Sequence, residues 1–464
     1  MKFYHIKYVN IITEREEKVK TLNAILSNVE SRKKFLFTLG MMLIVLIGGQ
    51  IPTYGVNTSY FSEFFSQNGS LSFFNALTGN SLGRLSLFAL SITPYITASI
   101  IIQLLMVAIP KLESMVKDNI DGQEKLEKMN YIVAGVLGFM EALAMSIGFG
   151  KKGLLLSYTW YNCLIVTILW GGCSLLLIFI GKMIDKKGIG NGISLILLFN
   201  ILSSIPSDAI TLYDKFCSNQ NIPMIIVRLA IICVIVLCVF CFSILLNDSE
   251  KRVPIQYSKG TTYMGTQRSF IPIKVCIAGV LPVIFASSLM SFPILIVNML
   301  GLQLTGWKQT LLMMLNSSYW FDMSTPICSI GYVIYALLVI FFGYFYASIT
   351  FNSYEIAENL KKSGGTICGI RPGKPTVEYF DKQVKYLIFI GTAGLLIIAT
   401  VPIVVSGIFS LGSLSLGGTS IMIISSVILE TKKQFELEAI YHKASIFNRQ
   451  KSSIFGFSMK KEGI

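Results

Sequence analysis

Apolar residues in this chain gather into blocks of about 20, the length at which an α-helix crosses a hydrocarbon core. Such blocks fall near residues 34–51, 84–106, 129–149, 158–182, 191–205, 223–246, 274–297, 327–350, 384–408 and 411–430. In lipid, every backbone N–H and C=O must be paired within the protein, so only helices and closed barrels can span. The alternating ten-residue strands of a barrel are absent, which leaves helices. Composition agrees: 53% of residues are hydrophobic and only 14% charged, where soluble chains carry about 25% charged residues. The expected fold is an all-α integral membrane protein of ten transmembrane helices.

Charge fixes the orientation. The formal net charge is +14, and of the 39 Lys and Arg only Arg84, Lys151, Lys152, Lys215, Arg228 and Lys308 lie on one side of the expected membrane. The rest fall on the other, which the positive-inside rule makes cytoplasmic. Both termini are therefore expected in the cytoplasm, in agreement with an even number of spans. Topology and attraction to anionic membrane lipids account for most of the excess, and no specific DNA contact is implied. The opening residues mix Lys, Arg and Glu and form no cleavable signal. Cys238 and Cys241 form a C-x-x-C inside an apolar block and read as packing residues, since a redox pair needs thiolate access. With His5 and His442 the only histidines, no His-based metal site or triad is expected.

The connections divide the chain. Residues 1–33 read as an amphipathic cytoplasmic segment. A first five-helix half covers 34–205, an external connection 206–222, and a second half 223–431, with a tail at 432–464. The odd number of spans per half gives the halves opposite orientations, the arrangement of inverted repeats. Between the first two blocks, LSFFNALTGNSLG is too short and polar to span and too apolar for a free loop. A re-entrant helix shielded by protein, within 66–83, is its expected form. Two cytoplasmic loops, 247–273 and 351–383, are long enough to be functional, and Gly and Pro in the second imply an ordered hairpin-like excursion.

Ionisable groups at membrane depth mark ion or substrate pathways, because each costs at least about 2.5–3.5 kcal/mol at a helix centre. Glu141 is the clearest example here, with Arg84 and Arg228 near block ends. Mid-block positions carry small polar residues instead, such as Ser91, Thr93, Ser99, Gln103, Ser287 and Ser288, which allow helices to pack closely and slide. No G-x-x-x-x-G-K-[ST] or H-E-x-x-H occurs. An enzyme is not expected, nor a cofactor. A secondary transporter would need ion-binding half-helices and a polar midplane, and an intramembrane enzyme paired carboxylates or a Ser/His pair.

Several runs together resemble the SecY family. GNSLGRLSLFALSITPYITASIIIQLLMVAIP at 79–110 resembles its second helix, GIGNGIS at 188–194 the start of its fifth, and LPVIFASSLMSFP at 281–293 its seventh. FNSYEIAENLKKSGGTICGIRPGKPT at 351–376 is similar to the loop before the ninth helix, and GGTS at 417–420 to the tenth. These runs occur in order over nearly the whole chain.

The resemblance implies two pseudo-symmetric five-helix halves enclosing an hourglass pore through which unfolded polypeptides pass. Its waist is a ring of aliphatic side chains, here Ile92, Ile96, Ile193, Leu197, Ile284 and Ile423; such a constriction excludes water by dewetting. The re-entrant segment becomes a plug including Leu71, Phe73, Phe74 and Leu77, with Gly79 and Gly83 as hinges. A lateral gate between the second and seventh helices, including Thr97, Ser287, Ser288 and Phe292, releases membrane helices into lipid. The long loops correspond to a docking surface for the ribosome or the SecA motor, with Lys251, Arg252, Lys361, Lys362, Gly369, Arg371, Pro372 and Gly373 in it. Small SecE-like and SecG-like membrane subunits are the implied partners, signal-bearing polypeptides the substrates, and the bacterial cytoplasmic membrane the location. One departure stands out: Thr261, Thr262 and Met264 occupy the middle of the first loop, where the family carries paired basic residues. A divergent loop is what an accessory SecY with a restricted substrate set would show.

Overall fold

The computed structural model describes residues 29–58, 75, 77–109, 112, 122–217, 222–257, 269–300, 306–321, 326–408 and 417–437. The helices are α1 (Val29–Gly48), α2 (Thr93–Ala108), α3 (Gly122–Phe149), α4 (Trp160–Lys187), α5 (Gly192–Cys217), α6 (Ile222–Asp248) and α7 (Leu281–Leu300). They continue with the short α8 (Trp307–Leu315), α9 (Ser329–Thr350), the short α10 (Ser353–Lys362), α11 (Lys374–Ile408) and α12 (418–437). Among the described residues six helical segments, in α3, α4, α5, α6, α9 and α11, are long and apolar enough to cross a membrane. Thr93–Met106 and Leu281–Val297 are shorter apolar helices. The protein is a multi-pass membrane protein, and the many exposed Leu, Ile and Phe on these helices are the side chains that would face lipid.

Three expectations need correction. The fold is not purely α. Strands β1 (Glu250–Tyr257), β2 (Ser269–Lys274) and β3 (Gly365–Ile367) form a small antiparallel sheet in the order β2-β1-β3. Glu250 pairs with Lys274 and Ile255 with both Ser269 and Ile367, so the two long loops join into one unit. Val253, Ile255, Ile273 and Ile367 pack from the sheet against Ala357 and Leu360 of α10 and Phe380 and Leu387 of α11. That miniature core gives the loops a rigid base.

Second, the helix expected at 84–106 starts only at Thr93. Residues 78–92 run through consecutive turns, with Asn80 and Ser91 in left-handed conformations that non-glycine residues rarely adopt. Pro94 in the first turn, where its missing N–H costs nothing, explains the helix start. Third, α5 continues to Cys217, past Pro206, so the external connection expected at 206–222 is mostly helix. α11 likewise begins ten residues before 384.

Close backbone contacts hold the first-half helices. Cβ on Gly192 would lie 2.1 Å from the Gly181 carbonyl oxygen, so only glycine lets the start of α5 approach α4. The turn between them is pinned by Thr38, whose Oγ1 accepts from Ile189 N at 3.0 Å, and by Asp185, whose carboxylate accepts from Gly192 N at 2.6 Å. On the opposite side Trp170, fully buried in α4, donates to Thr53 Oγ1 at 2.9 Å and ties down the segment after α1.

Candidate functional site

The six aliphatic positions singled out in the sequence come from four separated stretches of chain. Ile92 and Ile96 lie at the start of α2, Ile193 and Leu197 at the start of α5, Ile284 in the first turn of α7 and Ile423 in the second turn of α12. The spacing of four within each pair puts both members on one helix face. Ile92, Leu197, Ile284 and Ile423 are buried in a single apolar cluster, and Ile96 and Ile193 pack against it half-buried. Five of them, all but Ile92, line one cavity, and Ile92 belongs to the same apolar core.

Above this cluster lies a cavity of about 500 Å³. Its floor includes Ile96, Ile193, Leu197, Ile284 and Ile423, and its upper walls carry Asn247, Lys274, Glu430 and Lys433. The charged residues stand at the level of the small sheet, so the cavity faces the side of the long loops. On its α2 wall Gln103 donates to Ser99 Oγ at 3.2 Å, and its buried Oε1 has no partner among the described residues. The arrangement is a polar-rimmed funnel closed by aliphatic side chains.

Below the cluster, the expected plug is only partly described: Leu71, Phe73 and Phe74 lie outside the described residues. Leu77 is buried. Gly79 has φ +66°, and Cβ there would meet the Asn200 backbone at 2.6 Å, so both conformation and space require glycine. Gly83 carries no such left-handed backbone; its N–H donates to Asn75 Oδ1 at 2.9 Å. Sequence reasoning missed the residue that fastens this segment. Asn200 Nδ2, buried in α5, donates to Leu77 O at 3.3 Å and to Ser91 Oγ at 2.8 Å. Asn80 Nδ2 adds a bond to Ser207 Oγ at 3.0 Å. A lone amide within the apolar run SLILLFNIL was the available signal, because a buried amide must find partners.

Asn200→Leu is expected to loosen the segment. It removes both donors and leaves the Leu77 carbonyl unpaired, a penalty of about 1–3 kcal/mol. Hydrogen exchange of amides 77–92 should rise about tenfold or more while the α4 core is unchanged; equal protection in both proteins would refute the latch.

Of the seam residues, Thr97, Ser287 and Ser288 are half-buried and Phe292 is exposed. Thr97 Oγ1 bonds back to Thr93 O at 3.0 Å, within its own helix. α7 packs on α3 and α9, and its Leu295 reaches a cluster containing Leu82, Ala142 and Met145. Glu141 sits half-buried in the second half of α3.

On the loop unit, Lys251, Arg252, Lys361, Lys362, Arg371 and Pro372 are all exposed. Arg252 pairs with Glu250 at 2.9 Å and lies over the Phe270 ring at 4.8 Å; Lys362 pairs with Glu358 at 3.0 Å. Gly369 (φ +80°) and Gly373 (φ +107°) flank Arg371, whose carbonyl accepts from Thr376 Oγ1 at 2.9 Å. The backbone of this tip is set by its glycines and leaves the guanidinium outward.

A multi-helix membrane protein with a polar-rimmed funnel closed by aliphatic side chains from four stretches of chain has the design of a channel. Comparison with known proteins gives the family. The SecY family model matches residues 86–432, and the chain is 37% identical over 432 residues to the protein translocase subunit SecY of Bacillus subtilis, covering 91% of this chain and 97% of that one. Two solved structures share the fold at 18% identity and TM-score 0.60, covering 89% of this chain and 94% of each: a protein conducting channel, and Sec61 in the canine ribosome-channel complex from the endoplasmic reticulum. The chain belongs to the SecY family.

Proposed function

We propose that this chain is the pore-forming subunit of a protein translocase. It passes unfolded, signal-bearing polypeptides across the bacterial cytoplasmic membrane and releases membrane helices sideways into lipid. The observation that carries the reading is that Ile96, Ile193, Leu197, Ile284 and Ile423 line one polar-rimmed cavity, with Ile92 in the same apolar core. An aliphatic constriction blocks ions by dewetting yet offers no group to hold a passing chain. A transporter for a small solute would need ion-binding half-helices, whereas here aliphatic side chains from three helices and α12 line the cavity.

The rest of the reading follows from that centre. Ten spans in two halves, with both termini cytoplasmic, agree with the charge pattern. The turn-rich segment at 77–92, latched by Asn200, is the described end of the plug. α2 and α7 carry the lateral gate. The loop unit docks the motor or ribosome that supplies the energy, and SecE-like and SecG-like subunits complete the assembly. An accessory role with a restricted substrate set is the second reading, favoured by Thr261, Thr262 and Met264 in the first loop.

Site-directed cross-linking tests the proposal. With a photo-reactive residue at position 284 or 423, a polypeptide arrested during export is expected to cross-link to the ring, whereas one at lipid-facing Val234 gives none. Adducts at Val234 and none at the ring would reject the pore.

A further inference from the structure

We propose that a cavity between the cytoplasmic ends of α9 and α11 binds the headgroup of one phospholipid bearing a primary ammonium. The cavity measures about 380 Å³, within the range of small-ligand sites at roughly 300–1,000 Å³. Asp381, Lys385, Tyr354, Ser348, Tyr344 and Ile388 line it.

Its depth identifies a lipid. Lys385 is the last charged residue of α11, and none follows from Tyr386 to Ile408. On the other wall, α9 has no charged side chain from Ser329 to Thr350, and the polar Asn352 and Ser353 follow. The cavity therefore straddles the level where a membrane's phosphate groups meet its acyl chains. Exposed Tyr344 and Tyr386 lie at that level, where amphipathic rings gather. Towards the apolar side the same two helices expose Leu337, Phe341, Phe389 and Ile397, a surface for acyl chains.

The charges identify the headgroup. Asp381 and Lys385 are four residues apart on one helix face, with the acid first, the order that favours an ion pair. Glu124–Lys128 and Glu358–Lys362, at the same spacing, do pair at 3.0 Å. Asp381 and Lys385 instead have no hydrogen-bond or ion-pair partner among the described residues, and both face the cavity. A zwitterion with phosphate against Lys385 and ammonium against Asp381 satisfies both. The ammonium must carry N–H groups to make a charge-assisted bond to the carboxylate, which a quaternary choline cannot. An anionic glycerol headgroup would leave Asp381 without a cation.

Native mass spectrometry of the full chain, released from membranes with its co-purifying subunits, tests this. Phosphatidylethanolamine, phosphatidylcholine and phosphatidylglycerol are added singly and in competition. The wild type should retain phosphatidylethanolamine about tenfold better than either of the others, the worth of one charge-assisted bond. D381N should lose the preference over phosphatidylglycerol, and K385Q should weaken retention of all three. Both side chains are exposed, and unchanged thermal unfolding of the variants confirms that the fold is kept. Equal retention of the three lipids by the wild type overturns the proposal, as does an unchanged preference in D381N. A co-purifying subunit that shields Lys385 from acylation in the absence of added lipid also overturns it.

Discussion

Replacing Ile423 by Asn is expected to make the closed channel leak and to let polypeptides with weakened signals through. Ile423 is 3% exposed and shares its cluster with Ile92, Leu197 and Ile284, each under 10% exposed. Removing a buried aliphatic side chain forfeits about 1.5–3 kcal/mol of burial, and an unpartnered buried amide adds about 1–3 kcal/mol. Both terms fall on the closed state, because an opened waist hydrates the amide. Even a combined shift of about 3 kcal/mol moves the closed-to-open equilibrium on the order of 100-fold. Ile92→Asn, at the fully buried position, should behave alike, while Ile423→Val removes one methyl and should stay near wild type. Ion flux into vesicles carrying the purified complex reads the seal, and export of a reporter with a shortened signal reads the gating. If Ile423→Asn vesicles stay as tight as wild type and reject the reporter equally, the ring assignment fails.

Much of this architecture was legible because lipid leaves a chain few choices. Blocks of apolar residues announced helices, and those at 223–246 and 327–350 match α6 and α9 within two residues at each end, while most of the others miss an end by five or more. The misses have physical causes. β1 and β2 were invisible because Pro254 and Pro272 interrupt them and Lys251 and Arg252 open the first, features that argue against strands. β1 also pairs with β3, a partner distant in the chain that no local pattern shows. The segment at 84–92 looked like helix because its composition is apolar. It turns instead, held by bonds from Asn200 to Leu77 and Ser91, and such long-range bonds outweigh local propensity.

The candidate site divides along the same line. The ring positions were reached through motif resemblance, since an isolated Ile in an apolar helix carries no signal of its own. The structure adds what motif order lacks: five of the six line one cavity. Asn200 was overlooked although its chemistry was suggestive, because a single amide is also common in plain helix packing. A channel of this kind keeps charge out of its waist and places it in the loop unit, where an external source of energy can act. In the proposed function the pore seals and the loops receive the force.

That division of labour makes Arg371 the second decisive position. Arg371→Glu is expected to abolish motor-driven export while leaving the protein assembled. The residue stands on an exposed tip whose shape is set by Gly369 and Gly373 in left-handed conformations and by the Thr376 bond to its carbonyl. None of these involves the guanidinium, which has no partner among the described residues. Reversing its charge therefore costs the fold little, as is usual for surface positions. What changes is the contact: a guanidinium binds a carboxylate or phosphate bidentately, and a carboxylate in its place repels the same partner. Losing one desolvated, hydrogen-bonded charge pair costs a complex about 2–5 kcal/mol, on the order of 30-fold or more in affinity, and like-charge repulsion adds to it. Arg371→Lys keeps the charge but not the fork and should fall between the two. ATP-dependent export into vesicles measures the loss, and co-purification of the small subunits with normal thermal unfolding confirms assembly. Full export by Arg371→Glu vesicles would remove this tip from the docking surface and leave Lys251 and Lys361 as its basic contacts.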